Sequence, residues 1–161
     1  MNADPNHLFK VGDDTTILQP TYYNIYYHHA IQLPLLAKRS HPDILPLLSY
    51  LTTIVQSPNI HDWYKLPRTC KYLHINCHLP LILEGGSLNS IKWYIDVEFV
   101  MHHNMRSHTG MMMTMGKGCI YVASGKNKIN TKSSTKAELM GISDALPQVI
   151  WYQNFLMSQG Y

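Results

Sequence analysis

The sequence predicts an α+β fold, with helices in the first half of the chain and a small antiparallel sheet followed by a long helix in the second half. Three short strand-like runs lie close together between residues 91 and 124, and glycines separate the last two. Apolar residues at helical spacing dominate residues 22–74 and again follow Glu138. Helices and strands that are segregated along a chain are typical of the α+β class.

Length and composition limit the kind of protein. The chain has 161 residues, 45% of them hydrophobic, which excludes a disordered polymer. No apolar run approaches the roughly 20 residues that a membrane span needs, and the polar start of the sequence lacks a signal-peptide core. Three cysteines give no disulfide framework. We therefore expect an intracellular protein of the cytoplasm or nucleus, without a membrane partner.

The first half of the chain predicts three helices. Residues 22–40 carry apolar side chains at helical spacing, and Pro42 suits the first turn of a second helix that runs to about Val55. The run Ser57–Asn59 ends that helix, and a third helix spans roughly Ile60–His74. We expect these helices to form one small unit.

Three prolines fall inside these predicted helices: Pro34, Pro46 and Pro67. An interior proline costs about 3 kcal/mol or more, whereas a whole domain is stable by only about 5–15 kcal/mol. We therefore expect the helical half to be weakened, or to consist of several shorter helices.

A change in composition separates the two halves. Leu79–Glu84 has the composition of a strand and is closed by the turn-forming run Gly85–Ser87, so we place a boundary near Leu88. The chain is accordingly divided into an irregular segment 1–20, a helical region 21–88 and a sheet-and-helix region 89–161.

The second half predicts three antiparallel strands. They are centred on Trp93–Phe99, Met111–Met115 and Cys119–Ser124, and the turn Gly116–Gly118 joins the last two. We expect Asp96 to lie on the middle strand and to be buried among its apolar neighbours. A buried carboxylate is costly unless something neutralises it, so Asp96 is a candidate functional residue.

A long helix is predicted from Thr135. Five apolar residues follow the helical period and would face the sheet: Leu139, Ile142, Leu146, Val149 and Ile150. Pro147 interrupts this pattern, so we expect a kink or a break there. Gln159-Gly160 then ends the helix.

Glu138 is the second candidate acid. One interpretation is structural, because Thr135 and Glu138 have the spacing of a capping box and a carboxylate in a first helical turn suits the helix dipole. The other interpretation is functional. The 42 residues from position 96 to position 138 are enough for two further strands to return and bring both carboxylates together.

Several short motifs of this half resemble the ribonuclease H region of copia-type retrotransposon polyproteins. They are Trp93–Phe99, Met105–Gly110, Gly116–Gly118 and Ile129–Leu139, followed by Pro147-Gln148, Trp151 and Gln159–Tyr161. Upstream, four further runs resemble the end of the reverse-transcriptase region: His41–Asp43, Leu51–Thr53, Asp62-Trp63 and Lys71–Leu73. The resemblance implies a fragment in which a helical connection precedes a truncated ribonuclease H-like fold.

The same resemblance implies hydrolysis of RNA in RNA–DNA hybrids by two Mg²⁺ ions. Asp96 and Glu138 would be the catalytic metal ligands, and Ser133, Ser134 and Thr135 would contact the nucleic-acid backbone. Thr135 would serve equally well as a helix cap. The later acids of the family are absent from this sequence. We therefore expect no activity from this chain, unless the remainder of a polyprotein supplies them.

The alternative is a non-catalytic gene remnant or a nucleic-acid-binding module. Five lysines near the two acids suit the phosphates of a nucleic acid: Lys117, Lys126, Lys128, Lys132 and Lys136. A solvated polar turn explains them equally well, and the net charge of +3 is mild. Glu98, two residues from Asp96 on the same strand face, would either join a metal site or repel Asp96.

Histidines and cysteines are a further candidate metal set. The cluster Cys70, His74, Cys77 and His78 does not have the usual spacing of zinc ligands, so a zinc site is not favoured. We expect His102 and His103 to lie in a solvated loop before the second strand.

Overall fold

The computed structural model of the protein describes residues 16–86 and 90–161. The chain divides into two compact units, and the division falls between Pro80 and Leu81 in the sequence. Within the described ranges there are helices and one antiparallel sheet, so the predicted α+β class is confirmed. The predicted boundary at Leu88 and residues 1–15 of the predicted irregular segment lie outside the described residues. No described helix is both long enough and apolar enough to span a membrane.

The N-terminal unit is helical. Its elements are α1 (Pro20–Arg39), a short 3-10 turn (Pro42–Ile44), α2 (Leu45–Thr53) and α3 (Ile60–Ile75). The side chains of Tyr26, Ala30, Leu48 and Leu51 are fully buried and form its core. Burial of the Tyr26 ring is matched by a hydrogen bond, because its hydroxyl donates to the Leu51 carbonyl at 3.2 Å. The predicted helices therefore exist, within one or two residues of the expected ends.

The prolines do not break these helices. Pro34 and Pro67 lie inside α1 and α3, which continue through them, so the prediction of shorter helices is wrong at both positions. Pro46 lies in the first turn of α2. Backbone N–H groups in a first turn have no partner within the helix, so the missing N–H of proline costs no helical hydrogen bond there. In α3 the loss at Pro67 is offset at the start of the helix, where Asn59 and Asp62 form a capping box.

The C-terminal unit is built on a three-stranded sheet with the order β1-β2-β3. The strands are β1 (Lys92–Glu98), β2 (His108–Thr114) and β3 (Cys119–Lys126), and both neighbouring pairs are antiparallel. Asp96 lies on β1, an edge strand of this sheet, so its predicted place on the middle strand is wrong. The reason is the connectivity: two successive hairpins place the second strand between the other two.

Residues 79–84 do not form the predicted strand. At the end of this run the Glu84 carbonyl accepts from the Lys117 amide at 3.1 Å, and the next residue, Gly85, forms an isolated bridge with Gly116. A Cβ at Gly116 would overlap the Glu84 carbonyl oxygen. Glycine is therefore required at position 116 by the close approach of two backbones.

The long helix α4 (Ser134–Ser158) packs on the sheet through small residues. Ala137, Gly141 and Ala145 are its buried positions, four residues apart. A Cβ at Gly141 would lie 2.5 Å from Cγ2 of Val97, so the glycine brings the helix very close to β1.

The apolar stripe that was predicted to face the sheet instead faces outward. Leu139 is 68% exposed, and Ile142 and Leu146 are each 50% exposed. That prediction is wrong because close contact selects the small residues and turns the bulky ones away. The helix also runs on through Pro147 without a break, and it ends at Gln159 and Gly160 as predicted, with Gly160 at φ +87°.

Candidate functional site

The two faces of the sheet have different surroundings. Side chains alternate along β1, and Val97 contacts α4 at Gly141 while Trp93 lies 5.8 Å, between ring centroids, from Tyr152 of the same helix. Tyr94, Asp96 and Glu98 therefore lie on the opposite face, which we call the helix-free face. All three of these side chains are exposed.

Asp96 is accordingly a solvated carboxylate, and its predicted burial is wrong. Its Oδ1 accepts a hydrogen bond from the Val97 amide at 2.9 Å. The apolar neighbours that suggested burial belong to the other face of an alternating strand. Because a hydrated carboxylate needs no neutralising partner, the physical argument that marked Asp96 as functional no longer holds.

Glu138 is half-buried and lies beyond the first turn of α4. The helix is capped by Ser133, whose Oγ accepts from the Lys136 amide at 3.3 Å. Thr135 is therefore not the cap, and the capping-box interpretation of Glu138 is wrong. The sequence contains two successive serines before Thr135, and the structure selects the first of them.

The structure places the two candidate acids on different elements of the C-terminal unit. Asp96 is exposed on β1, and Glu138 is half-buried on α4 next to the buried Ala137. Among residues 16–86 and 90–161 no three His, Cys, Asp or Glu side chains come together in a way that would hold a metal ion. Asp96 and Glu138 therefore supply two carboxylates, whereas a pair of Mg²⁺ ions needs several shared oxygen ligands. The cysteine and histidine cluster is no better placed, since Cys70 and Cys77 are free, exposed thiols.

The start of α4 suits an anion better than a metal. Its first turn contains no acidic residue, and Ser134 and Thr135 are exposed there. Lys132 precedes this turn and Lys136 lies within it, both with exposed side chains. Backbone N–H groups and the positive end of the helix dipole favour a phosphate at such a position, and the lysines add to that attraction.

A second group of polar side chains lies on the helix-free face, and the sequence did not predict it. Nε2 of His108 lies 2.8 Å from Oγ of Ser124, and Nδ1 of His108 lies 3.0 Å from Nε2 of His102. His102 is buried, so its predicted place in a solvated loop is wrong, whereas His103 is exposed. Desolvation by burial lowers the pKa of each of these two rings, His102 and His108, to about 4.

The strand register explains why these side chains meet. In the β2–β3 hairpin Gly110 pairs with Ser124, and His108 pairs with Lys126. On the other side of β2, Gly110 pairs with Asp96. The turn Gly116–Gly118 is the sequence feature that could have predicted this pair, because folding the chain about it brings His108 and Ser124 together. Local motifs do not contain such a pair, since its two members lie on different strands.

Comparison with known proteins gives one informative similarity. No protein-family model matches the chain, and no solved structure matches it. Over 111 residues the chain is 24% identical to a protein named Secreted RxLR effector protein 161 from Plasmopara viticola. The alignment covers 68% of this chain and 78% of that relative.

This similarity overturns the assignment to copia-type retrotransposon polyproteins. The matched protein bears the name of a secreted effector, and no polyprotein of that type is found. The description of the chain as part of a transposable element is therefore also wrong. The misleading motifs were short runs such as Gly116–Gly118 and Ser133–Thr135, which form a turn and a helix start here and do so in many folds.

Proposed function

We propose that the C-terminal unit binds nucleic acid through its phosphates and does not cleave it. The observation that carries this proposal is the start of α4. An acid-free first turn of a 25-residue helix presents its N–H groups between two exposed lysines, Lys132 and Lys136. Ser134 and Thr135 would donate hydroxyl hydrogen bonds to the same phosphate, and Lys128 would reach the next one.

The proposal of binding without cleavage rests on the number of acids. Hydrolysis of an RNA–DNA hybrid by two Mg²⁺ ions needs several oxygen ligands at one metal pair, and Asp96 and Glu138 supply two. The proposed function therefore contains no step through a metal. Phosphate contacts of this kind carry little sequence preference, and we therefore propose an affinity for RNA, DNA and their hybrids alike.

Binding measurements at several salt concentrations test this proposal. We expect a fluorescein-labelled RNA–DNA hybrid to bind the chain, and log K to fall linearly with log[salt]. The double variant Lys132→Ala/Lys136→Ala should bind more weakly, with a salt slope smaller by about 1–2. Lys38→Ala/Lys71→Ala removes the same charge from exposed positions of the N-terminal unit and is the matched control. Equal weakening in both double variants would argue against a site at α4.

We also propose an intracellular location, in the cytoplasm or the nucleus, where nucleic acid is available. The free thiols of Cys70 and Cys77, both exposed, favour a reducing compartment. A second candidate comes from the relative, whose name describes a secreted effector. The name of that relative contains the pattern Arg-x-Leu-Arg. None of the three arginines of this chain, Arg39, Arg68 and Arg106, begins such a run. Expression with a tag in its own cells, followed by fractionation of cells and medium, distinguishes the two locations.

A further inference from the structure

The group on the helix-free face has the connectivity of an activated nucleophile. Ser124, His108 and His102 form a chain of two contacts, at 2.8 Å and 3.0 Å between the atoms given above. Nucleophile, base and a third group that orients the base recur at these distances in enzymes that form covalent intermediates. The three residues come from β3, from β2 and from the loop between β1 and β2, so the fold assembles them.

The loop that carries His102 is held in a costly conformation. Val100 and Met105 both have positive φ, 55° and 61°, a region that side-chain-bearing residues and branched ones in particular avoid. Two main-chain bonds close the loop, from the His102 amide to the Arg106 carbonyl at 3.0 Å and from the Met105 amide to the His102 carbonyl at 2.8 Å. Backbone strain that the surroundings maintain in this way is common where a side chain must be positioned.

Space for a substrate lies beside Ser124. Gly110, its partner in register, has no side chain, and nothing lies within 4 Å of the place where a Cβ would be. A gap therefore separates Ser124 from Asp96 on the helix-free face. The next row of the face carries Tyr94, which is 53% exposed, opposite Met112, which is 36% exposed. The gap thus has a polar row at one end and an apolar row at the other.

We propose that Ser124 is the nucleophile of an ester-hydrolysing site, with His108 as its general base and His102 as a positioning residue. In the first step the Ser124 hydroxyl transfers its proton to Nε2 of His108, and Oγ bonds to the carbonyl carbon of the ester. The bond to the alcohol oxygen then breaks, and the alcohol leaves with the proton from His108. Water hydrolyses the acyl-Ser124 ester by the same proton route and releases the acid, so no oxidant or further reactant is needed.

The charges around the gap define the class of substrate. Asp96 and Glu98 lie on the same face and repel an anion, whereas the apolar row of Tyr94 and Met112 suits a short acyl chain. We therefore assign an uncharged or cationic ester of a short acyl group. Lys126 is in register with His108 and two residues after Ser124. It would stabilise the substrate oxygen that becomes negative during attack.

The protonation states of the His108 and His102 rings support the assignment of His108 as a general base. Because burial lowers the pKa of His108 to about 4, its imidazole is neutral at pH 7 and available as a base. The groups that face the pair are Glu98 opposite His108 on β1, Lys126 on β3, and His103 and Arg106 in the loop. Activity should consequently persist below pH 6 and decline only as pH approaches 4.

Reaction with a fluorophosphonate probe tests the nucleophile directly. We expect the folded chain to form one phosphonylated adduct, which mass spectrometry of peptides places on Ser124, and to hydrolyse p-nitrophenyl acetate. Ser124→Ala should abolish both reactions, whereas Ser143→Ala, which changes an exposed serine of α4, should leave both unchanged. An adduct elsewhere, or reaction no faster than that of the urea-unfolded chain, overturns the proposal.

The histidines are tested by pairs of variants with folding checked by circular dichroism. His108→Gln should lower the labelling rate by about 10²-fold or more, as expected for loss of a general base. His102→Gln retains an acceptor for the His108 N–H, so its labelling rate should stay within about tenfold of the wild-type rate. His102→Leu removes the acceptor, so its labelling rate should be as low as that of His108→Gln. Equal rates in the Gln and Leu variants contradict a positioning role. Should a variant fail to fold, the pH profile of the wild-type labelling rate decides: a decline centred near pH 6.5 overturns the proposal.

Discussion

Replacement of Gly141 by alanine tests the close packing of α4 on β1. Helix propensity alone predicts stabilisation, because glycine in a helix interior costs about 1 kcal/mol relative to alanine. Packing predicts the opposite. The new Cβ would lie 2.5 Å from Cγ2 of Val97 and 3.3 Å from Cγ2 of Thr109. Real Cβ atoms do not approach other carbon atoms to 2.5 Å, so the helix or the strand must move.

Neither element moves easily. Val97 is buried and β-branched, so its χ1 is restricted, and β1 is paired along its length with β2. Overpacking of a tight core costs about 1–3 kcal/mol, which exceeds or cancels the gain in helix propensity. We therefore expect Gly141→Ala to give no stabilisation and to lower the free energy of unfolding by up to about 2 kcal/mol.

Urea unfolding of a double-mutant cycle measures this effect. Val97→Ala removes the methyl groups that meet the new Cβ, so Gly141→Ala should be neutral or stabilising in the Val97→Ala background. The coupling between the two substitutions should be about 1 kcal/mol or more. Ser143→Ala, at an exposed position of the same helix, is the control for helix propensity. Stabilisation of the wild-type background by Gly141→Ala would refute the close contact.

Two further predictions concern protonation and chemistry. The pKa of His102 and of His108 is about 4 in the folded chain and about 6.5 when unfolded, so the unfolded chain binds more protons. Stability is complete above about pH 6.5 and is lost as pH falls toward 4, by up to roughly 3 kcal/mol for each ring. Urea titrations at pH 7.5 and 4.5 measure this, and a loss that persists undiminished in His108→Gln would count against the pair. For chemistry, a labelled RNA–DNA hybrid with Mg²⁺ or Mn²⁺ should remain uncut, and metal-dependent cutting that disappears in Asp96→Asn would contradict the proposal of binding without cleavage.

Local patterns predicted the helices and strands of this fold, together with one strand, at residues 79–84, that does not form. Alternating strand residues, the Gly116–Gly118 turn and helical periodicity predicted the strands and helices, because each depends on neighbours in sequence. The effect of proline was overestimated, since tertiary contacts and caps offset the loss of one hydrogen bond at Pro34 and Pro67.

Which face of an element is buried was harder to predict. Large apolar residues were taken to mark the buried side of α4, whereas Ala137, Gly141 and Ala145, at intervals of four, were the better signal. The same difficulty misplaced Asp96, because its strand is apolar on one face only. The pair of His108 and Ser124 depends on hairpin register, which no single segment of sequence contains.

The position of Asp96 on the edge of the sheet gives its charge a plain physical use. An edge strand presents unpaired N–H and C=O groups that another chain could join, and charged side chains along such a strand oppose that association. On β1 the exposed residues include Lys92, Asp96 and Glu98, spread over its seven positions. A second β1 brought alongside would have to desolvate these charges, so the same carboxylate that resembles a catalytic acid protects the chain from aggregation through its open edge.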